Sequence, residues 1–120
     1  MAEHNEVGIA GEAIAKAHLQ ELGYEILDLN WRYKKAEIDI VAQNKQMLVI
    51  VEVKTRTSKE FERPQDAVTL AKQKHLIRAA DAYIQEREID LECRFDIVSV
   101  LMQGEKTEVE HIEEAFVPLL

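Results

Sequence analysis

Two apolar runs, Ala36-Glu37-Ile38-Asp39-Ile40-Val41 and Leu48-Val49-Ile50-Val51-Glu52-Val53-Lys54, flank the polar stretch Gln43-Asn44-Lys45-Gln46. Runs rich in Val and Ile and bounded by turn residues read as the two strands of a β-hairpin. Each run nevertheless carries charges where a fully buried strand has none. A fold for this chain must bury the valines and isoleucines and still accommodate three acids and a lysine.

Strand side chains alternate between faces. Ile38, Ile40 and Ala42 fall on one face of the first strand, and Glu37, Asp39 and Val41 on the other. In the second strand Val49, Val51 and Val53 share one face, and Leu48, Ile50, Glu52 and Lys54 share the other. Burial aligns the two all-apolar faces, because a one-residue slip would turn every side chain over. Glu37, Asp39, Glu52 and Lys54 therefore meet on the opposite face. A two-residue turn at Asn44-Lys45 sets Glu37 across from Glu52 and Asp39 across from Ile50. Asp39 and Glu52 are then diagonal neighbours, with Cβ atoms about 7 Å apart or less.

Carboxylates this close repel on a partly apolar face, and one takes up a proton unless a cation intervenes. Oxygen-only ligands favour Mg2+ or Mn2+ over zinc. Lys54, two residues beyond Glu52, could orient an attacking water or stabilise charge developing on a phosphate. Acids, a metal and a lysine form a set suited to phosphodiester hydrolysis. The competing reading is a salt-bridge ladder in which Glu37 and Glu52 pair with Lys54 or Arg56.

The remaining elements follow from periodicity. Residues 6–22 read as a helix with Val7, Ala10, Ile14 and Ala17 as its apolar stripe, widened by Leu19 and Leu22. Asn5 suits its N-cap and Gly23 its stop. Gly8 and Gly11 cost roughly 1 kcal/mol each in a helix interior and permit close backbone packing. Tyr24 to Asn30 reads as a strand. In Trp31-Arg32-Tyr33-Lys34-Lys35 aromatics interleave with cations, a texture suited to stacked bases and phosphates. The favoured alternative packs Trp31 and Tyr33 on the sheet. Thr55 to Arg63 reads as a loop, and Pro64 opens the next element. Gln65 to Val68 form a turn, and Thr69 caps a helix running to about Glu86, with Leu76, Ile77, Ala80, Tyr83 and Ile84 buried. Arg94 to Met102 is a strand, Gln103-Gly104-Glu105-Lys106 a turn, and Thr107 to Ile112 a weaker, acidic edge strand. The apolar tail from Ala115 docks on the body. The order α-β-β-β-α-β-β implies a mixed sheet flanked by helices.

At 120 residues, 47% apolar and 32% charged, the chain reads as one soluble globular domain over 1–120. No apolar run approaches the roughly 18 residues of a transmembrane helix. The acidic start, Met1 to Glu6, lacks the regions of a signal peptide. The expected location is the cytoplasm, away from membranes. Cys93 has no cysteine partner, His4, His18, His75 and His111 are scattered as surface histidines, and no Gly-rich phosphate loop is present. The net charge of −8 conceals an asymmetry: residues 30–78 carry +5 and the remainder −13. A basic middle on an acidic body is compatible with a local phosphate-binding face.

Asp39 followed thirteen residues later by Glu52-Val53-Lys54 resembles the signature of PD-(D/E)XK nucleases. The likeness extends through Gly8-Ile9-Ala10-Gly11-Glu12, Gly23-Tyr24, Asn30-Trp31-Arg32, Glu37-Ile38-Asp39-Ile40-Val41, Val51-Glu52-Val53-Lys54-Thr55-Arg56, Ala67-Val68, Lys72-Gln73-Lys74 and Arg94-Phe95-Asp96. Together these resemble the YraN family of small bacterial proteins, related to archaeal-type Holliday junction resolvases. Ile38 replaces the signature proline, and Ala36 stands where the family usually has glycine.

The resemblance implies a restriction-endonuclease-like α/β core, αβββαβ, with a mixed central sheet flanked by helices. It implies Asp39, Glu52 and Lys54 as catalytic residues, and Glu12, Asp39 and Glu52 as ligands of Mg2+ or Mn2+. Glu37 and Gln73 would support them. Gln73 lies on the Ile77, Ala80 and Ile84 face, from which a helix residue can reach such a site. Arg32, Lys34, Lys35, Arg56, Lys59, Arg63, Lys74 and Arg78 would meet nucleic-acid phosphates. The expected function is Mg2+-dependent, nuclease-like action on DNA, including branched or structured forms. A homodimer would be needed to cut two strands symmetrically. The alternatives are a nucleic-acid-binding module without turnover and a protein-interaction domain, the latter suggested by the acidic body and apolar tail.

Overall fold

The hairpin forms the centre of a five-stranded sheet. The computed structural model describes residues 5–58 and 68–118. Its elements are α1 (Glu6–Glu21), β1 (Glu25–Tyr33), β2 (Ala36–Asn44), β3 (Met47–Arg56), α2 (Leu70–Arg87), β4 (Glu92–Gln103) and β5 (Lys106–Phe116). The strands lie in sequence order. All neighbours are antiparallel except β3 and β4, which are parallel. Parallel neighbours need a crossover, and α2 lies on that connection. The result is a mixed sheet flanked by helices, as the element order implies.

The sheet is covered on both sides. α1 packs on β3, β1 and β4, and α2 on β2 and β1. Ile40, Ala42, Val49, Val51, Val98 and Val100 form one core with Ala15 and Leu19 of α1. Val41, Leu48, Ile50, Phe95 and Ile97 form the other with Leu76, Ala79, Ala80 and Tyr83 of α2. No helix among the described residues is long and apolar enough to cross a membrane.

Local chemistry sets the helix ends. The Asn5 side chain accepts from the Gly8 amide at 2.8 Å, and the Thr69 hydroxyl from the Lys72 amide at 3.2 Å. Each supplies an acceptor to a first-turn amide that lacks a helical partner. Gly23, at φ +93°, turns the chain out of α1.

The α1 face differs from the apolar stripe. Gly11, Ala15 and Leu19 are buried, whereas Val7, Ala17 and Leu22 are exposed. The helix lies so close to β3 that a Cβ on Gly11 would fall 1.9 Å from Thr55 Oγ1. At the point of closest approach only glycine fits, and the helix widens its contact through Ala15 to Leu19. β1 continues through Trp31 to Tyr33, so the aromatic-cationic stretch is strand, and Lys34-Lys35 is the turn into β2. Thr55 and Arg56 complete β3 and pair with Val100 and Leu101 on β4, where a loop was expected. β5 likewise runs past Ile112 to Phe116, whose ring stacks on Phe95 at 5.0 Å. Pro64 and the turn residues before Val68 lie outside the described residues.

Candidate functional site

The hairpin turn is Lys45-Gln46, one residue later than expected, with Asn44 paired to Met47. Moving the turn by one shifts every cross-strand partner by two, so the faces are kept while the partners change. The last rung is Ile40 with Val51, which brings Asp39 beside Glu52, in place of the diagonal arrangement. Beyond that rung β2 and β3 part. The Val53 amide donates to Asp39 Oδ2 at 2.8 Å. Ile40 belongs to the α1-side core and Ile38 to the α2-side core, so the expected alternation breaks at Asp39.

Both acids are buried in this fork, Asp39 at 8% exposure and Glu52 at 6%. Burial, followed by the Glu52 charge, pushes the Asp39 carboxyl up to about 8 against the opposing Val53 bond, and Glu12 adds to the rise. The counter-charge comes from α2, where the Lys72 ammonium ion-pairs with Glu52 Oε2. Burial alone would lower the Lys72 pKa, but the charge and hydrogen bond of Glu52 raise it, helped by Asp39 and Glu37.

Two clefts flank the Asp39-Glu52-Lys72 cluster. The first, about 420 Å³, is lined also by Arg32, Lys35, Glu37 and His75. The second, about 360 Å³, is lined also by Asn5, Gly8, Glu12, Lys54 and Thr55. Asp39, Glu52 and Lys72 belong to both. Lys54 and Glu12 thus share a cleft with the acid pair, and Arg32, Lys35 and Glu37 share the other. The salt-bridge ladder takes a different form: Glu52 pairs with Lys72, and Glu37 with Arg32 Nε at 3.6 Å.

Other candidates lie elsewhere. Gln73 does not line either cleft, because its Nε2 donates to the Val68 carbonyl at 3.1 Å and ties down the start of α2. Lys34 lies over the Tyr33 ring at 5.3 Å. Arg56 is half-buried at the end of β3. Lys74 and Arg78 are exposed on α2 and line neither cleft. Lys59 and Arg63 lie outside the described residues, as does His4. Trp31 meets Tyr83 edge to face at 5.1 Å, so it packs on α2.

Lys72 is the site residue that the sequence reading missed. Its signal was its place four residues before Leu76, where it continues the buried Leu76-Ala80-Tyr83 line back to the site. His75 is also missing from the expected set and lines the first cleft.

A second polar cluster was also unforeseen. Asp96, its side chain wholly buried, accepts from Arg94 Nε and Nη2 at 2.8 and 2.7 Å and from the Glu114 amide at 3.0 Å. His111 Nε2 lies 2.7 Å from Asp96 Oδ2, and Arg94 donates to the Tyr24 hydroxyl at 2.6 Å. Burial would raise the Asp96 carboxyl, but its bonds to His111, Arg94 and the Glu114 amide hold it below the ordinary carboxylate range. His111 is therefore no surface histidine. The cluster joins β4 and β5 to Tyr24, the residue that precedes β1.

The donors at the fork are carboxylate oxygens, the type a hard divalent cation takes, and a cationic group already lies against them. Among the described residues no three of His, Cys, Asp and Glu form a metal-binding group. Glu12 belongs to the helix on the opposite side of the sheet from Lys72, and acts on Asp39 through its charge. Two carboxylates suffice for Mg2+ when water and substrate phosphate complete its shell.

Comparison with known proteins places the chain in a family. The uncharacterised protein family UPF0102 matches residues 11–100. A UPF0102 protein of Bacteroides thetaiotaomicron is 51% identical over 120 residues, covering 100% of this chain and 99% of the relative. One of Flavobacterium psychrophilum is 49% identical over 116 residues, covering 97% of this chain and 98% of the relative. With this coverage and identity, the chain belongs to the uncharacterised protein family UPF0102, the YraN family that its motifs resemble.

Proposed function

We propose that the protein is a Mg2+- or Mn2+-dependent, nuclease-like phosphodiesterase with a PD-(D/E)XK core, acting on DNA, including branched or structured forms. The supporting observation is the fork between β2 and β3, where buried Asp39 and Glu52 face each other beside Lys54. Asp39 and Glu52 would hold the cation, with Glu12 adding negative charge. The bound ion would polarise the scissile phosphate and lower the pKa of a water. Lys54 orients that water or donates to the departing oxygen. Arg32 and Lys35 hold phosphate in the first cleft.

The full chain should cleave linear, single-stranded or branched DNA with Mg2+ or Mn2+, and Asp39→Asn or Glu52→Gln should abolish cleavage. Variants that cut as well as wild type would overturn the reading. The Lys72–Glu52 ion pair favours a second reading, a nucleic-acid-binding module without turnover. Salt-dependent DNA binding with no cleavage in either metal decides for it.

A further inference from the structure

We infer that Lys72 is a resident counter-cation that yields the acid pair to a divalent ion and then turns its ammonium to the nucleic-acid phosphate. This rests on the metal-dependent reading above. The geometry is asymmetric. Glu52 is buried in β3, with a side chain 8% exposed, whereas the Lys72 side chain is 48% exposed on a long flexible stem. The lysine can leave while the carboxylate stays.

Helix stability does not explain the position. Lys72 lies in the first turn of α2, three residues after the Thr69 cap, in a turn with no acidic residue. The positive end of a helix disfavours a cation there. Glu52, in the sheet, provides the compensating charge. A cation that replaces the ammonium at the acid pair also removes the attraction that holds Lys72 there. Because Lys72 lines both clefts, the released ammonium stays at their junction, where a phosphate spanning the fork would lie. Lys72 is thus a positioning residue until the ion binds and a phosphate ligand afterwards.

Calorimetric titration with Mn2+ alone tests the exchange in wild type, Lys72→Met, Lys72→Arg, Lys74→Met and Asp39→Asn. Removing the competitor should tighten Mn2+ binding about tenfold in Lys72→Met, a usual size for coupling between two bound groups. Lys72→Arg should stay near wild type. Lys74→Met removes an equal charge outside the clefts and should change little. A second measurement, anisotropy of a labelled DNA hairpin, should show Lys72→Met binding more weakly than wild type with Ca2+ present and alike with EDTA. Unchanged or weaker Mn2+ affinity in Lys72→Met, with Asp39→Asn abolishing binding, overturns the exchange and leaves the nuclease reading intact. No Mn2+ binding by any variant, Lys72→Met included, overturns both.

Discussion

The Asp39 carboxylate accepts the Val53 backbone N–H at 2.8 Å, where the next rung of the β2–β3 ladder would stand. In an antiparallel pair every second amide of a strand faces the same neighbour. After Val51 that amide is Val53, so its natural partner is β2 backbone. A side chain takes it instead, and the strands part. One hydrogen bond therefore terminates the ladder, opens the fork and fixes a carboxylate inside it.

Burying a carboxyl there has a cost at neutral pH, which the Val53 bond only partly offsets. The Asp39 pKa rises to about 8 in the fold, through burial and the Glu52 charge, against about 3.9 unfolded. Between these values the folded state binds more protons, so its stability falls as pH rises. An amide in place of the Asp39 carboxylate would keep an oxygen for Val53 without the charge. In EDTA, Asp39→Asn should be more stable than wild type at pH 8 by about 1–3 kcal/mol, with the gain shrinking towards pH 4. Urea denaturation across that range checks this, and a pH-independent difference would rule it out.

The second cluster has the opposite sign. Asp96 is held low by His111, Arg94 and the Glu114 amide. Its stabilisation is present above its unfolded pKa and is lost as pH falls through the lower folded value. Asp96→Asn leaves the Arg94 guanidinium with only exposed Glu113 as a charge partner and should cost about 3 kcal/mol near pH 7, as removal of one partner of a buried ion pair does. The deficit should shrink in acid. Equal stability of variant and wild type at pH 7 would count against the ion pair.

The charged face was legible because alternation has a period of two. The turn lies one residue later than expected, yet Asp39 and Glu52 still meet, since the partner shift is even. What was not legible depended on contacts distant in sequence. Asp96 meets His111 fifteen residues away, and Arg94 meets Tyr24 seventy residues away. α1 was read by the size of its apolar side chains, but close approach to Thr55 selects for small ones. The Ile77-Ala80-Ile84 stripe leads back to Gln73, whereas Lys72 lies on the line of Leu76, so that stripe does not reveal it.

Gly11 tests that close approach. An alanine Cβ there would lie 1.9 Å from Thr55 Oγ1 and 2.8 Å from Thr55 Cβ. Alanine favours a helix by about 1 kcal/mol over glycine, so propensity alone predicts stabilisation. The clash is larger and should leave Gly11→Ala destabilised by about 1–3 kcal/mol. Thr55→Ala removes Oγ1 and Cγ2 but retains Cβ, so the double variant should recover part of the loss. A thermal-melt cycle with strictly additive single effects would exclude the contact.

The cations divide by location. Arg32 and Lys35 line the first of the two clefts that contain the acids, whereas Lys74 and Arg78 lie outside both clefts. A phosphate reaching the acids through the first cleft passes Arg32 and Lys35. Each phosphate contact steepens the dependence of log K on log salt by about 0.9 for duplex DNA. Arg32→Ala/Lys35→Ala should therefore weaken DNA binding and flatten that slope by about 1–2. Arg32 already pairs with Glu37, which places the expected change below two full contacts. Lys74→Ala/Arg78→Ala should change the slope less. Fluorescence anisotropy at several salt concentrations, with Ca2+ present, reads both. If the outer pair flattens the slope more than the cleft pair, the phosphate path does not run through the first cleft.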